Sequence, residues 1–179
     1  SYTYGETPFT PYLENRTGNL TMPVTYAYAS VGAGMMKVWD IDNPPALSAG
    51  TYMMCAMIAD TQNFDAFTTD NVAFTVWQAT PSCTPTDLTA KYGQTLGEIA
   101  LTNPEGNPPG TWSWKQPETV LDTIGTQSYA ADFKPDDTDN YLEVADAAIG
   151  VTVEPAEGRS LKTEELTQQY ADTSAHTYK

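Results

Sequence analysis

The stretch "IGTQSYAADFKPDDTDNY", Ile124 to Tyr141, decides the fold. Its first part alternates, with Tyr129, Ala131 and Phe133 on one side and Ser128, Ala130 and Asp132 on the other. Successive side chains of a strand point to opposite faces, so the pattern predicts a half-buried β-strand. Asp137-Thr138-Asp139-Asn140 is turn chemistry. Asn tolerates a left-handed backbone, and Asp and Thr side chains bond nearby amides. Tyr141 is then expected to fold back into the core and lock the corner. Gly125 stands where the strand begins, and a side chain there would obstruct the turn.

The same succession occurs earlier. In "SAGTYMMCAMIADTQNF", Ser48 to Phe64, Gly50-Thr51 falls on Gly125-Thr126. Met54, Ala56 and Ile58 fall on Tyr129, Ala131 and Phe133, and Asn63-Phe64 falls on Asn140-Tyr141. Closing strands follow at Val72 to Val76 and at Ala148 to Val153. The heads align too. Tyr4-Gly5-Glu6-Thr7 matches Tyr92-Gly93-Gln94-Thr95, and Tyr170-Ala171-Asp172-Thr173 opens a third copy. Four features in one order mark an internal repeat. Tyr4 and Tyr92 are expected to anchor the first strand of each unit, and Gly5 and Gly93 to permit the turn after it.

Around these anchors, "VTYAYASV" (Val24 to Val31) and "GMMKVWD" (Gly34 to Asp40) read as strands. The second unit offers "GTWSWK", Gly110 to Lys115, as the counterpart. "TLGEIAL", Thr95 to Leu101, reads as one short helical turn, because Leu96 and Ile99 are spaced i,i+3 and Thr95 can cap. The strand Met53 to Ile58 is apolar on both faces, which predicts a central position. Pro-containing joints at Gln78–Asp87 and Glu154–Ser160 divide the chain. The expected organisation is a first module over 1–79, a linker over 80–85, a second module over 86–156, and a joint with the truncated start of a third module over 157–179. Two such modules in series make a rod, and the third head implies a piece cut from a longer array.

"KYGQTLGEIAL", "GTWSWKQP", "IGTQSYAADFKPDDTDNY" and the terminal "VTVEP" resemble the MBG-type tandem repeats of bacterial cell-surface proteins, which carry a Tyr-Gly-x head. The second unit fits over nearly its whole length. The first fits from Thr3 to Glu6 and from Ser48 to Val76, while its middle, "KVWDIDNPPALSAG", departs. The third head has Ala171 where the family has glycine. The resemblance implies a mainly β module of Ig-like β-sandwich type, or of β-grasp-like type, exported and strung in arrays. Its expected role is a stalk or spacer on the bacterial cell surface or wall, with a contribution to adhesion. The partners implied are neighbouring repeats of the same chain and a host glycan or protein. A glycan- or protein-binding module, or an ancillary module of a surface enzyme, are the rival readings. The family supplies no catalytic residues, and no cofactor is expected.

Composition narrows the functions. The 179 residues carry 23 acids and 8 bases, a net charge of −15. A phosphate backbone would be repelled, which argues against nucleic acid as a partner. No stretch approaches the ~20 apolar residues of a membrane span, so no insertion is expected. The one histidine, His176, lies near the C-terminus. A His-based triad or metal centre is therefore not expected, and the chain does not read as an enzyme.

Weaker candidates remain for a site. Asp136, Asp137 and Asp139 gather carboxylates of the kind calcium takes, although a solvated acidic turn accounts for them as well. Trp112 and Trp114 point to one face of a strand, either as a sugar-stacking platform or as core. Trp39 and Trp77 are further aromatics to test for exposure. Lys91, Lys134, Asn71 and Asn140 are the residue types of an intramolecular isopeptide bond. Cys55 and Cys83 could pair, although Cys55 is more simply a small core residue. Asn15 and Asn19 stand in glycosylation sequons without expected meaning.

Overall fold

A computed structural model describes residues 1–13, 23–62 and 65–156. These residues are mainly β and form two sheets, one in each half. The first sheet contains β1 (Tyr2–Thr3), β2 (Val24–Ser30), β3 (Lys37–Trp39), β4 (Gly50–Ile58), β5 (Phe67–Thr68) and β6 (Val72–Trp77). Its order is β1-β6-β4-β2-β3, with β5 paired to the far end of β4. The second contains β7 (Leu88–Lys91), β8 (Gly110–Trp114), β9 (Gly125–Pro135) and β10 (Val144–Glu154), in the order β7-β10-β9-β8.

The two sheets are wired alike. Each opening strand lies parallel to its closing strand, Thr3 opposite Trp77 and Lys91 opposite Glu154. Each closing strand runs antiparallel to a long central strand, with Gly50 opposite Val76 and Gly125 opposite Val153. The next strand pairs on the other side of that centre, Tyr26 opposite Ala56 and Trp114 opposite Ala131. β8 therefore takes the position of β2, not of Lys37–Trp39. The match of "GMMKVWD" to "GTWSWK" is corrected on this point, and β3 is an additional edge strand.

The heads share their bonds as well. The Tyr4 amide donates to the Trp77 carbonyl and the Tyr92 amide to the Glu154 carbonyl, each at 2.8 Å. The next bond closes the turn: Glu6 N–H to Thr3 O at 3.0 Å, Gln94 N–H to Lys91 O at 3.1 Å. A side-chain oxygen then accepts back, Glu6 from the Thr3 amide at 2.8 Å and Gln94 from the Lys91 amide at 2.7 Å. Gly5 and Gly93 sit at φ 85° and 90°, in the left-handed region where a Cβ is penalised. In these two heads the third residue, Glu6 or Gln94, supplies the acceptor that the turn uses.

After the second head, Leu96–Glu98 forms a single 3-10 turn, and the Glu98 carboxylate accepts from the Thr95 amide at 2.8 Å. Leu96 comes from the β7–β8 connection and Leu121 from the β8–β9 connection, and both pack with Val151 and Val153. Beside them, Phe133, Ala131 and Ile149 meet Trp112. The first core is aromatic instead. Phe9 stacks on Trp39 at 5.5 Å and meets the edge of Phe74 at 5.2 Å. β4 lies in the middle of its sheet, as its two apolar faces predict, and the Cys55 thiol reaches Met36 Sδ at 3.7 Å. The two cysteines are free thiols, so no Cys55–Cys83 bridge forms.

Gly110 marks a close approach. A Cβ there would stand 2.5 Å from the Lys134 carbonyl oxygen and 2.6 Å from the Phe133 ring. Gly110→Ala should therefore cost about 1–3 kcal/mol, as overpacking does. The expected result is a lower urea midpoint at unchanged slope; an unmoved midpoint would show that the backbone yields.

The β7–β10 pair carries an ion pair, Lys91 Nζ to Glu154 Oε2 at 2.8 Å. That hydrogen bond, with the ammonium charge, holds the Glu154 carboxyl below the usual carboxylate range. A lowered carboxyl pKa stabilises fully above the unfolded value and ceases to do so as pH falls through the folded one. Both side chains are half exposed, so the contribution is small and salt-sensitive. An NMR titration should find Glu154 back in the ordinary range in Lys91→Gln. A titration curve that does not move would point to another cause.

Candidate functional site

The described residues place one polar side chain in full burial, Asn140, at 9% exposure. It sits at the corner after β9 and bonds in two directions. Within its own corner, its amide nitrogen Nδ2 donates to Asp137 Oδ2 at 2.8 Å, and its backbone N–H donates to Asp137 Oδ1 at 3.1 Å. Across to the first half, its Oδ1 accepts from the Ala49 amide at 2.8 Å. Its backbone carbonyl accepts from the Ala79 amide, and the Leu142 amide donates to the Ala79 carbonyl, both at 2.9 Å. Ala79 and Tyr141 thereby form an isolated parallel bridge. Gln78 Nε2 adds a bond to the Thr138 carbonyl at 2.8 Å.

The aromatic of the corner completes the seam. Tyr141 meets the Tyr4 ring edge-on, centroids 5.4 Å apart at 83°. The expectation that Tyr141 folds into its own core is corrected: it packs on the head of the other half. Tyr92 is corrected likewise. It occupies the position of Tyr4 but is 48% exposed and anchors no core. Two contacts separate them: Tyr4 packs on the aromatic core of its own half and is covered by Tyr141.

The linker is not a bare tether. Pro81 and Pro85 are buried, and Asn107 holds Cys83 by two bonds, Cys83 N–H to Oδ1 at 3.1 Å and Nδ2 to the Cys83 carbonyl at 2.7 Å. Sequence reading took the prolines as spacers and had no signal for the partner loop.

The chemical candidates are placed as follows. Trp112 is 7% exposed, with its ring 5.1 Å from that of Phe133. The half-buried Trp114 donates its indole N–H to the Ile99 carbonyl at 2.9 Å. Neither presents a solvent face for a sugar, and Trp39 is buried too, leaving Trp77 exposed. The Asp137 carboxylate is engaged by Asn140. Asp136 and Asp139 are exposed, and no group of acids among the described residues could hold a metal ion. Lys91 pairs with Glu154, Lys134 lies 4.0 Å from Glu143, and Asn71 is exposed. No buried Lys–Asn pair is assembled from these four. Asn63, Phe64, Asn15, Asn19, His176 and the third head lie outside the described residues. No helix among the described residues is long and apolar enough to cross a membrane.

One cleft is roomy. About 620 Å³ opens in the first half between Phe9, Leu13, Tyr26, Met54 and Phe74. Its lining is mostly apolar, and the Thr69 hydroxyl on its wall already accepts from the Ala56 amide at 3.0 Å. Against this geometry, the chain matches no protein-family model, no curated protein and no solved structure.

The seam makes a sharp demand on Asn140. Truncating it leaves the Ala49 amide and Asp137 Oδ2 without their partner in a partly buried place, while Asp137 Oδ1 keeps the backbone N–H of residue 140. Asn140→Ala should destabilise the chain by about 1–3 kcal/mol, the cost of orphaned buried polar groups. The Ala49 amide should also lose its protection in hydrogen exchange. Retained protection at Ala49 would rule out the Oδ1 bond as its source.

Proposed function

We propose that the chain is a structural repeat of an extracellular bacterial surface protein, acting as a stalk or spacer that supports adhesion. The observation that carries this reading is the parallel pairing of opening and closing strands in both halves. Tension along the chain enters β7 at its start and leaves β10 at its end. In a parallel pair these points lie at opposite ends, so the hydrogen bonds are sheared together instead of being peeled in turn. That is a suitable arrangement for a unit pulled between its neighbours, and the corresponding heads and central strands support tandem modules. One mixed sheet per half, opening strand parallel to closing strand, favours a β-grasp-like module over an Ig-like sandwich.

A second reading, a module that binds a glycan or protein, rests on the apolar cleft of the first half. Its aromatic lining suits an apolar or aromatic group more than a free sugar, whose hydroxyls need several polar partners.

Single-molecule pulling tests the stalk. The prediction is two unfolding events, each releasing about 25 nm of contour from ~75 residues at ~3.4 Å each. β1–β6 pairs two residues and β7–β10 pairs four, so the first half should yield at the lower force. Smooth extension with no force peak would sink the stalk, and retention on a glycan array would promote the second reading.

A further inference from the structure

The first half uses one end of its sheet to seat the second half. That end consists of Tyr4, Ala49 and Ala79. The register defines the corresponding residues of the second half without freedom. Thr3 and Lys91 face Trp77 and Glu154, which makes Tyr4 equivalent to Tyr92 and Ala79 to Ala156. Gly50 and Gly125 face Val76 and Val153, which makes Ala49 equivalent to Ile124. In the first half Tyr4 is covered by Tyr141, and the Ala49 and Ala79 amides are bonded to Asn140. In the second half Tyr92 is 48% exposed, Ile124 is 58% exposed, and Ala156 is exposed.

We propose that the Tyr92–Ile124–Ala156 end of the second sheet is a docking face for a following module of the same kind. Its Asn-aromatic corner takes the place that Asn140 and Tyr141 take against the first half. The occupant is argued from the interface already present in this chain, which has the same strand register on the receiving side. Chain length agrees. Tyr92 stands 15 residues after Trp77, and the head tyrosine Tyr170 stands 16 after Glu154. The incoming corner offers its Asn oxygen to the Ile124 amide, exchanges main-chain bonds with Ala156, and lays its aromatic ring on Tyr92. Pro155 stands where Gln78 does, so the side-chain bond to the Thr138 carbonyl has no counterpart. The second seam therefore relies on the corner itself. This inference rests on the tandem-module reading and adds to it a specific joint, repeated with fixed geometry.

The test extends the native chain. Residues through Thr173 are kept, and Leu96–Ala156 follow, so that the third head receives the body of the second module. That body supplies β8, β9, β10 and most of both core clusters, and the head alignment sets residues 166–169 at the sequence position of β7. With only residues 1–173 isotopically labelled, amide exchange is read by NMR. The Ile124 and Ala156 amides should slow by about tenfold or more relative to the native chain, the scale of one modest hydrogen bond. Asn140→Ala in the added copy alone should reverse the change at Ile124. Unchanged exchange at Ile124 and Ala156 overturns the docking face. An added copy that remains unfolded even with Ala171→Gly and Asp172→Gln in its head counts against it too, because a competent seat stabilises what docks on it. The Ala49 amide separates the two levels. If it is protected in the native chain while Ile124 is not protected in the extended one, only the second joint fails. If Ala49 itself exchanges as an open amide, the seam fails, and the tandem reading loses its joint.

Discussion

The arrangement of the two halves depends on one buried amide. Asn140 is tolerated in the interior because its groups are used: Nδ2 and the backbone N–H by Asp137, Oδ1 by Ala49, and the carbonyl by Ala79. A buried polar group without partners would be costly, and one with partners at fixed positions permits a single geometry. Asp137 sets the corner and the corner presents Oδ1, which selects where the strand start at Ala49 can rest. A hydrophobic residue at position 140 could bury as much area, but it would leave the Ala49 amide unbonded and remove the side-chain bond that ties the corner to that strand start.

The corner lies directly beyond the strand pairing that closes the first sheet. The first half ends its sheet on Trp77, and Ala79, two residues on, is already bonded to the next module. The segment that follows is held through Cys83 and the buried Pro81 and Pro85 before β7 begins. The seam therefore takes up chain that would otherwise be free linker. Its bonds run to main-chain amides and carbonyls, which any sequence supplies. The joint asks of its neighbour only a strand start, a strand end and a ring at the head.

Much of the fold was legible, and the reason is periodicity. The alternation of Tyr129, Ala131 and Phe133 gives the buried face of β9, and the Gly50/Gly125 starts and the Tyr-Gly-x heads fall in corresponding registers. These are local signals, set by strand geometry and left-handed glycine. What was not legible was the direction of side chains at the ends of the sheet. Tyr4 and Tyr92 have the same Tyr-Gly head and the same backbone bond, yet one is covered and the other open, because Tyr4 packs on the aromatic core of its own half and meets Tyr141, 137 positions away. The Trp112–Trp114 pair was ambiguous for a related cause. Spacing of two fixes a common face but not which face is core, and that is decided by Phe133 and Ile99. The strand expected over Gly34 to Asp40 is present as the three residues of β3, but so short an edge strand carries too little pattern to show that the second half has no counterpart for it.

The acidic surface fits the same logic. With a net charge of −15, side-by-side approach of two copies sets like charges against each other. That protects open sheet edges such as those of β3, β7 and β8 from pairing with a neighbour. End-to-end joining escapes the penalty. The seam between the halves uses amides, carbonyls and tyrosine rings, and its one carboxylate, Asp137, is satisfied within its own corner. Charge thus opposes lateral association of two copies while leaving the seam between the halves free of unpaired charge.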